Sequence, residues 1–136
     1  MFKYLINVFV LLLLASFGCK ANLSEPTVLL KCNLESGSSL LAQYDDSKFV
    51  IYKGEESYIT KREDVLYNDT FRFQSEYTIV KLDNQMGLFK SFDATFSDDI
   101  EYGFINSLGK VDACKDVISE NFSKSEGDFE RDKSGL

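Results

Sequence analysis

Apolar residues along this chain come in short runs separated by Gly, Asp, Asn and Ser, and no stretch after residue 20 sustains a helical period. Residues 27–33 (TVLLKCN), 40–44, 49–52 and 57–60 read as successive strands, with turns at 35–38, 45–48 and 53–55. Residues 61–69 are mostly polar and read as a loop, in which Val65, Leu66 and Tyr67 are apolar enough to touch the core. The next runs, 71–74 and 77–82, alternate apolar and polar positions, the period of a strand with one buried and one wet face. Residues 88–92, 100–105 and 110–114 complete the series, with 116–122 compatible with one or two helical turns. Clusters of β-branched and aromatic residues bounded by turn formers are the signature of a meander. The predicted fold is all-β, a small antiparallel barrel or sandwich of about seven or eight strands with a short C-terminal helix.

The first residues break that pattern. A single basic residue, Lys3, precedes a short, mostly apolar run that ends in Gly18-Cys19. It is shorter than the roughly 20 apolar residues a spanning helix needs, and it has the layout of an export signal. A cysteine at the boundary resembles the lipobox of bacterial lipoproteins, in which that thiol receives a diacylglycerol. On this reading 1–18 is the signal, Cys19 the lipidated residue and 19–26 a polar tether. The alternative is an ordinary signal cut after Ala21, giving a soluble periplasmic protein. The β domain is then 27–122, and 123–136 is a charged tail too poor in apolar residues to offset its ordering entropy, hence disordered.

Charge and cysteines sharpen this picture. The net charge of −7 becomes −8 once Lys3 leaves with the signal, which disfavours nucleic acid and favours a basic partner. Three cysteines are an odd number. Lipidation of Cys19 leaves Cys32 and Cys114 as an even pair for an oxidising compartment, the alternative being two buried thiols.

Catalytic chemistry is sparse. The chain has no His and no Trp, and its eight glycines are scattered singly, so the usual nucleophile pairs and phosphate loops are absent. The acidic clusters are Asp45-Asp46, Glu55-Glu56 and Asp98-Asp99 with Glu101. Adjacent acids in turns ordinarily form the turn and face water. A calcium site within 93–101 has oxygen ligands but not EF-hand spacing. The expectation is a non-enzyme with no metal and no cofactor. Phenylalanine must fill the core, while Tyr44, Tyr58 and Tyr67, near turns, are either packed against it or exposed for binding. Asn68-Asp69-Thr70 and Asn121-Phe122-Ser123 fit the glycosylation acceptor, a pattern frequent by chance and without meaning in a bacterium.

The order signal, cysteine, meander, late cysteine resembles the small periplasmic lipoproteins that inhibit C-type lysozyme. The stretch Lys31-Cys32-Asn33-Leu34-Glu35-Ser36-Gly37, followed by Leu40-Leu41-Ala42-Gln43-Tyr44-Asp45, is similar to that family's opening hairpin. The resemblance implies a lipid-anchored envelope protein that binds a basic envelope or host protein, with lysozyme inhibition as its sharpest form. The family's inhibitory motif, a serine and glycine shortly before a tyrosine, has no counterpart in mid-chain, so no inhibitory residue is assigned. Lys20 is not the aspartate that retains such lipoproteins at the inner membrane, which implies the outer membrane. The competing expectation is a structural or assembly lipoprotein.

Overall fold

Alternation in the first run becomes strand β1 (Thr27–Leu34), with Leu30, Cys32 and Leu34 buried and Lys31 and Asn33 facing solvent. A computed structural model of the chain describes residues 25–95 and 97–134. The signal at 1–18, Cys19 and most of the tether lie outside them. Strands β2 (Ser39–Tyr44), β3 (Lys48–Lys53) and β4 (Glu56–Lys61) continue a first meander from β1. After a 3-10 turn at Arg62–Asp64, a second meander runs through β5 (Leu66–Arg72), β6 (Ser75–Lys81), β7 (Gly87–Asp93), β8 (Ile100–Ile105) and β9 (Val111–Glu120). A 3-10 turn at Phe122–Lys124, one helical turn α1 (Ser125–Asp128) and the two-residue strand β10 (Glu130–Arg131) finish the described chain.

The strands form one sheet in the order β10-β5-β6-β7-β8-β9-β1-β2-β3-β4, curved into a half-barrel. All pairs are antiparallel except β10 with β5. Cys32 on β1 and Cys114 on β9 are bonded, with Cα atoms 5.8 Å apart, so the bridge crosses the junction where the two meanders meet. The core fills the concave side: Leu30, Leu40, Ala42, Phe49 and Ile51 from one half meet Val80, Leu88 and Phe104 from the other. Across it the Tyr58 ring stacks on Phe104 with centroids 6.4 Å apart. The Thr60 hydroxyl donates to Asp83 at 2.9 Å.

The all-β architecture agrees with the sequence pattern, but several boundaries move. Ten strands form among the described residues, where the sequence pattern suggested about seven or eight. β5 begins at Leu66, inside the expected loop, because Tyr67 reaches the core. Phe73 is not in a strand: with φ 56° it sits in the β5–β6 turn, 93% exposed. Residues 116–120 extend β9 instead of starting a helix, since β1 supplies a backbone partner for Asp116, Val117, Ser119 and Glu120. The helical segment falls later, at 122–128.

The expectation of a disordered tail is overturned for residues 123–134. Phe129 is buried against Tyr44 and Phe49, with ring centroids 4.8 and 5.7 Å away. The charges around it are used: Arg131 pairs with Asp69 at 2.6 Å, and Arg62 Nη2 donates to the Asp128 carbonyl at 3.2 Å. Composition averages over the segment, whereas one aromatic anchor with satisfied neighbours is enough to dock it.

Gly103 on β8 is fixed by packing rather than by a turn. A Cβ there would lie 2.7 Å from both the Asp112 carbonyl oxygen and Phe89 Cε1. Gly103→Ala is therefore expected to cost about 1–3 kcal/mol, the usual range for overpacking. A urea titration checks it, and an unchanged midpoint would show that Phe89 yields freely.

Candidate functional site

The acidic clusters singled out in the sequence do not come together. Asp45 Oδ1 accepts from the Ser47 and Lys48 backbone N–H groups at 2.9 and 3.0 Å, and those bonds hold its carboxyl below the usual range. Asp46 is exposed, 3.5 Å from Arg62 Nη1. Glu55 and Glu56 sit at the β3–β4 turn, where Glu56 accepts from the Tyr58 phenol and raises its pKa. Asp98, Asp99 and Glu101 all face solvent. Among the described residues no three His, Cys, Asp or Glu side chains converge as a metal site.

The three tyrosines belong to the core and its edge. Tyr44 is buried, stacked on Phe49 at 5.8 Å, and donates its hydroxyl to Asp128. Burial first, then that hydrogen bond, pushes its phenol far above the ordinary tyrosine value. Tyr67 is buried beneath the Arg131 guanidinium, 5.1 Å from the ring centroid. Tyr58 is half-buried against Phe104. Of the two glycosylation-type asparagines, Asn68 lies on β5, and Asn121 donates through Nδ2 to the Val28 carbonyl at 2.9 Å.

Register assembles a different group. Across β5–β8, the pairings align Asp69, Thr78, Lys90 and Tyr102 in one row on the core-facing side of the sheet. The next row outward is Phe71, Glu76, Phe92 and Ile100. Both continue the face that carries Tyr67, Val80, Leu88 and Phe104 into the core, but here the half-barrel is open. Phe71 is 77% exposed and Ile100 46%. Only Gly103, Phe104 and Ile105 of β8 pair with β9, so the two strands part company at Tyr102. Between the sheet and the C-terminal segment lies a cleft of about 220 Å³, walled by Asp69, Glu76, Thr78 and Lys90 on one side and by Phe122, Ser125 and Glu126 on the other. Ser125 is buried, and its hydroxyl has no hydrogen-bond partner among the described residues.

A second cavity, of about 250 Å³, touches Leu66, Ile79, Gly87 and Ile105. In the sequence Glu76, Thr78 and Lys90 look like ordinary wet-face positions of strands. Only the strand register places them side by side, and no local motif announces it. Comparison of the chain with protein-family models, with curated proteins and with solved structures finds no match.

Proposed function

We propose that this protein is a non-enzymatic binding domain of the bacterial envelope, exported and anchored through Cys19, whose partner is a basic protein. The observation that carries the reading is the apolar row of exposed Phe71, half-buried Phe92 and exposed Ile100 beside the carboxylates Asp69 and Glu76. Exposed apolar side chains rimmed by charge mark interaction surfaces.

A C-type lysozyme is the sharpest candidate partner, and complementary charge would speed its association at low salt. Lysozyme activity is expected to fall when the purified protein is titrated in. Full activity at micromolar excess in low-salt buffer would remove lysozyme from consideration. The second reading, an assembly protein, is favoured by one feature: β4 lies at the end of the sheet with its outer edge unpaired among the described residues and Ile59 exposed. An open edge of this kind can accept a strand from another chain.

A further inference from the structure

We infer that the open mouth of the half-barrel receives a basic, apolar-flanked segment of a partner protein, a lysine or arginine entering the cleft while its neighbours pack on the Phe71–Phe92–Ile100 row. This rests on the binding reading and adds the place and the chemistry of the partner. Charge selects the occupant. The cleft walls carry three carboxylates, Asp69, Glu76 and Glu126, against the single ammonium of Lys90. Arg131 offsets Asp69 from the strand edge at 2.6 Å, which leaves Glu76 and Glu126 facing Lys90 alone. Since the chain as a whole carries −7, an anionic segment would be repelled both at a distance and inside the cleft.

The apolar row selects what accompanies that cation. Phe71 and Ile100 face solvent from the same side of the sheet as Glu76, and Phe92 lies between Glu76 and Ile100 in register. A cation alone would leave this row wet; an aromatic or aliphatic neighbour of the cation would cover it and exclude water from the ion pair, the arrangement that makes a charged contact strong. The unpaired Ser125 hydroxyl in the cleft wall adds an unused hydrogen-bonding group. Its partner would be a polar group of the incoming segment.

The test is amide chemical-shift mapping of the isotopically labelled protein with two blocked tetrapeptides, Phe-Arg-Leu-Arg and Phe-Glu-Leu-Glu. The arginine peptide is expected to give saturable shifts at Asp69, Glu76, Thr78, Lys90 and Tyr102. Glu76→Lys, an exposed position whose change leaves the core intact, is expected to weaken it about tenfold. Phe71→Ser is expected to weaken both the arginine peptide and its salt-resistant component. Equal shifts from the glutamate peptide would overturn the proposal. So would shifts centred on Leu66, Ile79 and Ile105, or a response of Phe71 and Ile100 to phosphatidylcholine vesicles and not to peptide. The first of those results leaves a binding mouth without selection by charge, the second a binding domain with a different surface, and the third a lipid-facing row in place of a peptide site. Silence toward the peptides, together with undiminished lysozyme activity, counts against the mouth and against the wider reading at once.

Discussion

Replacing Cys32 and Cys114 together by alanine lowers the unfolding free energy by up to about 4.5 kcal/mol, the chain-entropy value for a loop of this length. The two residues are separated by 82 positions, and the bridge crosses the β9–β1 junction, where the two meanders are hydrogen-bonded. Against a typical domain stability of roughly 5–15 kcal/mol, that loss brings the protein near its unfolding threshold. Urea titrations of the double variant, and of the native protein with and without reductant, measure it. Coincident midpoints for oxidised and reduced protein would show that the junction holds without its bridge.

Phe129→Ala is expected to cost about 3–5 kcal/mol, the range for truncating a buried phenylalanine. Its ring is edge-on to Tyr44 and Phe49 and sits beside Asp128, which accepts from the Tyr44 hydroxyl. Losing the anchor therefore also loosens the contacts of Asp128 with Tyr44 and Arg62. Phe71→Ala makes the control, because an exposed side chain changes stability by only about 0.5 kcal/mol or less. If both variants unfold at the wild-type midpoint, the C-terminal segment contributes nothing to the fold. The expectation is opposite to what the sequence of 123–136 suggests, so the pair of variants discriminates sharply.

The strands were legible where side chains alternate. Residues 77–82 and 27–33 read as strands, and the structure forms strands there with Val80 and Leu30 buried. Cysteine number and placement allowed a Cys32–Cys114 bridge or two buried thiols, and the bridge is the one that forms. What escaped depends on partners far along the chain. Val117 and Ile118 sit between acidic residues that suit a helical turn, and only the neighbouring β1 holds them extended. Phe129 is a lone aromatic in a charged segment, and its pocket is made by Tyr44 and Phe49, some eighty residues earlier. The mouth was the least legible part. Its rows draw one residue from each of four strands, so no window of sequence contains them.

The position of β1 has a kinetic side. It pairs with its sequence neighbour β2 on one edge and with β9, the last of the long strands, on the other. Hairpins within each meander close over short loops, whereas the β1–β9 contact requires nearly the whole domain to be present, and such non-local pairing is slow. Until it forms, β1 offers a free edge together with the apolar face of Leu30, Cys32 and Leu34. A chain ending before Val111 would keep that edge permanently open, a template for pairing with other molecules. The time to complete the junction thus sets how long newly made protein is exposed to aggregation.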